Sequence, residues 1–252
     1  MLTERERERY ARQILLFGEE GGQERLKKAK VFIAGGAGGG LGCPIALYLA
    51  VAGVGDIRLV DRDTVERTNL NRQVLHWERD LGTPKAGSAE AKLREANPDI
   101  RVEALAATID EANVRDLVGE ADLIVDAMDN FPTRYLLNRE RSGRVFPPCC
   151  TAQSGGFDGQ ATTIIPPGRT ACLECLFPEA PPPAEVFPVI GTTPPGIIGL
   201  IQANEAIKYI TGTGDLLLDR LLIWDGRSTT LETYAVERRP DCPVCGEGGV
   251  RL

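Results

Sequence analysis

Residues 31–42, with the sequence VFIAGGAGGGLG, decide the fold. An apolar, β-branched run enters a cluster of glycines and continues into the apolar segment LGCPIALYLAVAG at 41–53. This order predicts a strand, a tight turn and a helix, whose first backbone N–H groups can face a phosphate. Glycines alone would serve equally well as a packing device. Asp61 favours the nucleotide, because it ends the next apolar run about 20 residues on, where such folds hold the ribose.

Short apolar runs rich in β-branched residues alternate with segments of helical character, which predicts a mostly parallel sheet. The runs are residues 30–36, 56–61, 100–105 and 121–129. Residues 145–168 instead resemble two strands around a glycine-rich turn, and DGRS at 225–228 predicts a closing hairpin. The predicted fold class is α/β, a Rossmann-like doubly wound, mostly parallel sheet with a mixed or antiparallel C-terminal extension.

We interpret the 252 residues as one domain, because no repeat or linker divides them. Its parts are an N-terminal helical segment at 1–28, a nucleotide-binding half at 29–143 and a second half at 144–252. Thr3 and Glu6 have capping-box spacing and predict one amphipathic N-terminal helix. Residues 178–195 hold seven of the 17 prolines, which predicts an extended loop.

The charge balance excludes several classes of partner. With 29 basic and 36 acidic residues the net charge is −7, which argues against nucleic-acid and anionic-membrane partners. There is no apolar run of transmembrane length and the N-terminus is too charged for a secretory signal, so we expect a cytoplasmic protein. The single histidine, His76, excludes paired-histidine metal sites, and we expect it to be a structural hydrogen-bonding residue.

Three charged residues follow successive elements of the predicted sheet. Arg72, Lys85 and Asp129 would lie near its carboxyl edge, where such sheets bind ligands. Two cations and one acid suit a Mg²⁺-bound triphosphate, since the cations offset phosphate charge and the carboxylate is a hard ligand for the metal. Each alone would be read as a solvated surface residue. The competing function, an NAD-dependent oxidoreductase on the same fold, has no evident use for this cluster.

Four of the seven cysteines form two CxxC pairs, CLEC and CPVC. Their members are Cys172, Cys175, Cys242 and Cys245. Four thiolates close a tetrahedral zinc site with no open position, so we expect a structural Zn²⁺ that ties the C-terminus to the domain. Disulfides or redox pairs are the alternative, which a reducing compartment disfavours.

Nearly the whole chain resembles the MoeB, ThiF and HesA superfamily, the ubiquitin-activating-type adenylyltransferases of small ubiquitin-like or sulfur-carrier proteins. The matching motifs, in family order, are RYARQILL, GAGGGLG, AGVGDIRLVDRDTVERTNLNRQVLH, GTPKAGSA, DAMDN, GQATTI, the CxxC pair and IQANEAIKYI. The resemblance implies that the C-terminal glycine of a carrier ending in Gly-Gly attacks the α-phosphate of ATP. The products would be an acyl adenylate and pyrophosphate, and residues 144–252 would bind the carrier.

The resemblance also implies site residues. ATP would lie over the glycine-rich turn at Gly38 and Gly40, with Asp61 at the ribose. The other implied roles are Asn69, Arg72 and Lys85 around the phosphates, Asp129 on Mg²⁺, Asn130 beside the nucleotide, and Arg12 on the triphosphate of the partner subunit in a homodimer.

Two features depart from the family pattern. Many relatives carry a cysteine in the loop before the GIIG helix, whereas PAEVFPVIGTTPP has none. We therefore expect adenylation alone, as in MoeB-like members, with sulfur delivered by a separate sulfurtransferase; the alternative is a non-catalytic carrier-binding scaffold. Cys43, Cys149 and Cys150 would be buried structural residues. GAGGGLG is one residue longer than usual, so the phosphate-contacting glycine is Gly40 or, aligned from the left, Gly39.

Overall fold

A single sheet organises the computed structural model, which describes residues 1–140, 149–165, 169–180 and 192–246. Its strands are β1 (Lys30–Ala34), β2 (Asp56–Val60), β3 (Arg101–Leu105), β4 (Leu123–Asp126), β5 (Cys149–Gly155), β6 (Asp158–Ile164), β7 (Arg220–Asp225) and β8 (Thr230–Ala235). Within the described residues their spatial order is β3-β2-β1-β4-β5-β6-β7-β8.

The first half of the sheet is parallel and doubly wound, as predicted. β1 pairs in parallel with β2 and β4, and the outer neighbours β3 and β5 are parallel as well. The chain runs outwards from β1 to β3 and then crosses back to β4. The carboxyl ends of β1 and β4 therefore flank a topological switch point, where open α/β sheets bind their ligands.

The second half is antiparallel, which confirms the predicted extension. β5 and β6 form a hairpin, and β7 and β8 continue the same sheet. Gly156 lies in the hairpin turn with φ +58°, a conformation that favours glycine. The sheet crosses the predicted division at residue 143, since β4 pairs with β5.

Helices cover both faces of the sheet. They are α1 (Glu4–Arg9), α2 (Ala11–Phe17), α3 (Glu24–Lys28), α4 (Gly42–Ala52), α5 (Lys85–Ala96), α6 (Val114–Val118), α7 (Phe131–Glu140), α8 (Leu173–Leu176) and α9 (Gly199–Thr211). Alternate residues of β1 divide the core: Val31 and Ile33 pack with α4, α5 and α9, whereas Phe32 packs with α6 and α7. No helix in the described ranges combines the length and apolarity needed to cross a bilayer.

The N-terminal segment differs from its prediction. The capping box of Thr3 and Glu6 is present, but two short helices replace the single predicted one. The break is at Tyr10, whose backbone leaves the helical region at φ −100° and ψ 12°. Its ring is buried against Gly53 and its hydroxyl accepts a hydrogen bond from Asn97 Nδ2 at 2.8 Å. These tertiary contacts outweigh the local preference for one continuous helix.

The predicted proline-rich loop is described only at its ends. Residues 181–191 lie outside the described residues. Thr192–Ile198 form a π-helical turn that leads directly into α9, so residues 192–195 are helical rather than extended. α9 ends at Gly212, which adopts the left-handed conformation that glycine favours at a helix C-terminus.

Candidate functional site

The glycine-rich turn connects β1 to α4 at the switch point. Gly39 N–H donates to Gly35 O at 3.1 Å, which closes the turn, and Gly35 has φ +72°. A Cβ on Gly42 would lie 2.5 Å from Gly35 O, so α4 begins in direct contact with the turn's backbone. The N–H groups of Gly38 and Gly40 have no hydrogen-bond acceptor among the described residues. Both amides are available to an anionic ligand.

Lys85 and Asp61 meet at Gly38. A Cβ on Gly38 would lie 2.2 Å from Lys85 Cδ and 2.3 Å from Asp61 Oδ2. Lys85 is only 5% exposed, and its Nζ forms an ion pair with the exposed Asp63 at 3.1 Å. Three residues far apart in the sequence therefore share one position at the end of β1 and β2.

The Asp61 carboxyl lies in a partly desolvated and crowded electrostatic environment. Burial raises its pKa above the usual value, and the charges of Asp63 and Asp129 raise it further. The N–H of Asp63 donates to Asp61 Oδ1 at 3.0 Å, and this bond and the Lys85 ammonium partly offset that rise in pKa. Asp129 follows the carboxyl end of β4, as Asp61 follows that of β2, so both lie at the same edge of the parallel sheet.

Arg72 lies beside Gly40. A Cβ on Gly40 would lie 3.4 Å from Arg72 Cδ and 2.9 Å from Pro195 Cβ. Arg72 Nη1 donates to Thr68 O and to an Asn71 side chain, both at 2.9 Å. The two predicted cations therefore contact the same glycine-rich turn.

Gly39 differs from Gly40 in what it faces. A Cβ on Gly39 would lie 3.1 Å from Gly35 O and 3.3 Å from Ala127 O, which are inward-lying backbone atoms. In this geometry Gly40, rather than Gly39, is the glycine next to Arg72.

Other predicted residues make local hydrogen bonds. Asn69 is buried, and its Oδ1 accepts from Glu66 N–H at 3.0 Å. Asp129 is exposed and accepts from Asn130 Nδ2 at 3.3 Å, while Asn130 Oδ1 accepts from Thr133 N–H at the start of α7. Asp129 and Asn130 are therefore held at the end of β4.

Arg12 is not brought to this turn. Its side chain is exposed on α2 and makes no hydrogen bond or ion pair with the described residues. Leu15 and Leu16 of the same helix are also exposed, at 84% and 76%.

A buried ion pair that the sequence did not predict lies beneath this site. Arg134 Nε lies 3.0 Å from Asp126 Oδ2, and both side chains are almost fully buried. Met128 N–H donates to Asp126 Oδ1, and Gln202 Nε2 donates to Asp126 O at 2.9 Å. The pair thus joins β4, α7 and α9 below Asp129. The sequence feature that could have indicated this pair is Asp126, an acidic residue at the end of an otherwise apolar strand.

The four CxxC cysteines converge, as predicted, where residues 172–175 meet residues 242–245. Their Sγ atoms all lie within 4.8 Å of one another, and three of the four residues are buried. A tetrahedral zinc site with bonds of about 2.3 Å separates its sulfurs by about 3.8 Å, so the cluster fits that metal. Arg239 N–H points at Cys175 Sγ at 3.4 Å, a contact that stabilises a thiolate. Burial raises the pKa of the Cys172 thiol to about 11, so a cation is needed to hold it ionised.

The remaining cysteines play no part in that cluster. Cys43 is fully buried in α4, and desolvation raises its pKa to about 12, as expected of an unreactive core thiol. Cys149 and Cys150 begin β5, which confirms the predicted strand. Their side chains lie outside the described residues.

The chain is similar to known proteins in both sequence and structure. Residues 10–244 match the ThiF family. The chain is 48% identical to the SAMP-activating enzyme E1 of Haloferax volcanii, over 96% of this chain and 90% of that protein. It is 41% identical to the sulfur carrier protein adenylyltransferase of Thermus thermophilus, over 97% and 93%. The crystal structure of E. coli MccB with ATP superposes with a TM-score of 0.81 at 27% identity, covering 94% of this chain and 74% of MccB.

Proposed function

The chain belongs to the ThiF family, and from that premise we propose that it adenylates the C-terminal glycine of a small ubiquitin-like sulfur-carrier protein, using ATP. The carboxylate attacks the α-phosphorus, the bond to the bridging oxygen breaks, and pyrophosphate leaves with that electron pair. The observation that carries the proposal is the convergence of Lys85, Asp61 and Arg72 on Gly38 and Gly40.

The chemistry needs positioning and charge rather than a general base. A C-terminal carboxylate is already ionised near neutral pH, so no proton has to be removed before attack. Its approach to a triphosphate is opposed by charge repulsion, which Lys85 and Arg72 offset as negative charge moves onto the leaving group. The N–H groups of Gly38 and Gly40, which have no acceptor in the part of the chain that the structure describes, add oriented dipoles at the same place.

We extend the proposal to the other residues of the site. Asp61 receives the ribose hydroxyls, and Asn69 and Asn130 line the nucleotide site. Asp129 fits Mg²⁺ because it is an exposed carboxylate on the same edge as the phosphate-facing cations. Asp63 holds the Lys85 ammonium in the free protein, and the more highly charged triphosphate displaces it.

Arg12 acts across a homodimer in this proposal. Its exposure on α2, next to exposed leucines, supports a surface that a second copy covers. An Arg12→Ala subunit paired with a Lys85→Ala subunit would contain one intact composite site. We expect that mixed dimer to regain activity that both pure dimers lack, measured as carrier adenylation after purifying dimers with two different tags. Inactive mixed dimers would remove Arg12 from the site.

Neither zinc binding nor sulfur transfer belongs to the adenylation step. The four-cysteine cluster holds a structural Zn²⁺ and takes no part in adenylation, because a closed site has no open coordination position. Sulfur reaches the activated carrier from a separate sulfurtransferase. Four thiols that bind metal instead of pairing as disulfides support a cytoplasmic location.

The test is carrier-dependent exchange of labelled pyrophosphate into ATP. We expect exchange with a carrier that ends in Gly-Gly and none with the same carrier lacking its last residue. Absence of exchange with every Gly-Gly carrier encoded beside the enzyme would contradict the proposal. Calorimetry with Mg-ATP would then separate a non-catalytic scaffold, which need not bind nucleotide, from an enzyme that uses another acceptor. Tight binding of a nicotinamide nucleotide would favour the NAD-dependent oxidoreductase.

A further inference from the structure

A buried chain of polar side chains lies behind the glycine-rich turn. Lys92 Nζ is 2.7 Å from Ser88 Oγ, and Ser88 Oγ is 2.9 Å from His76 Nδ1. His76 Nε2 is 2.6 Å from the carbonyl oxygen of Ala37, inside the turn. All three polar side chains are at least nine-tenths buried. None of them has a role in the chemistry described above.

The two ends of this chain fix the direction of every hydrogen bond. The Lys92 ammonium can only donate, so Ser88 Oγ accepts from it and has its own hydrogen left for His76 Nδ1. The Ala37 carbonyl can only accept, so His76 Nε2 must carry a hydrogen. A neutral His76 is therefore protonated on Nε2, and its Nδ1 accepts the hydrogen bond from Ser88 Oγ.

This orientation determines where the next amide points. In a planar trans peptide the C=O and N–H groups point in opposite directions. His76 draws the Ala37 carbonyl inwards, so the N–H of Gly38 points away from His76. That N–H has no acceptor among the described residues, and Lys85 and Asp61 converge on the same glycine.

We propose that His76 is a positioning residue for the nucleotide site, which aims the Gly38 amide at a phosphate by holding the Ala37 carbonyl, and that it does so only while neutral. The identity of the ligand as a nucleotide phosphate rests on the proposed function. The orientation of the turn rests on the hydrogen-bond chain alone.

Charged groups around His76 set the pH at which this arrangement fails. Burial lowers the pKa of His76 below 6.5, and the ammonium groups of Lys92 and Lys85, both on α5, lower it further. Asp80 is the nearby acid that opposes them, but its Oδ2 is already 2.5 Å from Lys92 Nζ. A protonated His76 would present a second donor to Ser88 Oγ, beside a second positive charge. Nucleotide affinity should therefore fall as the pH drops below about 6.5.

Two substitutions of similar polarity separate the roles of the ring nitrogens. His76→Gln can place an amide N–H near the position of Nε2, whereas His76→Asn is too short and can replace only Nδ1. We expect His76→Gln to bind Mg-ATP nearly as well as the wild type and His76→Asn to bind about tenfold more weakly, the effect of one lost hydrogen bond. Calorimetry at pH 7.5 measures both, with thermal unfolding as the folding control.

The pH profile and the tautomer supply readouts that a purely structural role would not change. The wild type should keep its Mg-ATP affinity from pH 7.5 down to about pH 6.5 and lose it at lower pH, and His76→Gln should lose less. Because the chain has one histidine, the ¹⁵N spectrum of untagged protein contains one imidazole and reports its tautomer directly.

Each contradictory result has its own meaning. A protonated Nδ1 at neutral pH, or full Mg-ATP affinity in a folded His76→Asn, would overturn the positioning role. A wild type that binds no Mg-ATP at any pH would instead overturn the proposed function, together with the phosphate as the target of Gly38.

Discussion

Lys85 is an almost fully buried cation whose partner, Asp63, is more than half exposed. A buried charge is costly unless it is paired, and a pair with a solvated carboxylate compensates it only in part. The arrangement leaves Lys85 beside Gly38 with capacity to bind a more strongly anionic group. Arg72 contacts the neighbouring Gly40 with part of its guanidinium bound to local acceptors.

Removing either cation should therefore abolish efficient adenylation. We expect Arg72→Ala and Lys85→Ala each to lower the rate by at least about two orders of magnitude, because each loses a charge contact that strengthens in the transition state. Lys28→Ala, an exposed change on α3, is the matched control and should retain full activity. The measurement is the initial rate of pyrophosphate exchange. Normal turnover in either site variant would refute its assignment.

Asp61 should illustrate a conflict between stability and function. Its folded pKa is raised by burial, so its contribution to stability is fully present below the unfolded pKa of about 3.9 and is lost as the pH rises through the folded pKa. Asp61→Asn should thus unfold at a higher temperature than wild type at pH 7, with the advantage vanishing in acid. Its affinity for Mg-ATP should fall about tenfold through loss of a charged ribose acceptor. A less stable Asp61→Asn at pH 7 would contradict this reading of its environment.

Among individual residues, the sequence predicted the groups at the carboxyl ends of the strands and missed the ion pairs that depend on tertiary packing. Asp61, Lys85 and Arg72 follow from the ends of strands, where topology alone brings residues together. The partnership of Asp126 with Arg134 depends on how α7 packs against β4, which no local pattern encodes. The pairing of Lys85 with Asp63 likewise depends on tertiary structure.

The glycine-rich turn and α4 behave as one element. A Cβ on Gly42 would lie 2.5 Å from Gly35 O and 2.6 Å from Gly36 Cα, both backbone atoms that cannot rotate away. Gly42→Ala should cost about 1–3 kcal/mol of unfolding free energy and weaken Mg-ATP binding. Gly87→Ala on α5 has no atom within 4 Å of its Cβ and should instead add about 0.5–1 kcal/mol. Urea unfolding measures the change in unfolding free energy of both variants. Equal changes would show that the fold does not depend on the close contact between the turn and α4.

Elements defined by local alternation were predictable, and those shaped by distant contacts were not. The strands β1 to β4 and the β7–β8 hairpin follow directly from apolar runs and turn residues. The break at Tyr10 follows from its hydrogen bond with Asn97, 87 residues away. The π-helical turn at Thr192–Ile198 contains a proline that sequence patterns associate with a loop.

The four-cysteine cluster joins parts of the chain 70 residues apart and so acts on the whole molecule. Cys175→Ser should release the metal, leave an incomplete ligand set and lower the melting temperature. Cys43→Ala, which lies outside the cluster, should keep one zinc per chain even if its core packing suffers. Metal analysis of the purified variants decides the matter. Stoichiometric zinc in Cys175→Ser would mean that the ligand set is different.

In the whole molecule, a parallel half brings Asp61, Arg72 and Lys85 to the glycine-rich turn and an antiparallel half extends the same sheet. We propose that the carboxyl edge of the parallel strands activates the terminal carboxylate of a carrier protein. The most direct measurement is the intact mass of a Gly-Gly carrier after incubation with the enzyme and Mg-ATP. We predict that the carrier gains the mass of one adenylyl group with the wild type and with Lys28→Ala. With Lys85→Ala the mass of the carrier should stay unchanged. AMP on the carrier at wild-type level with Lys85→Ala, or none with the wild type, would contradict the proposal.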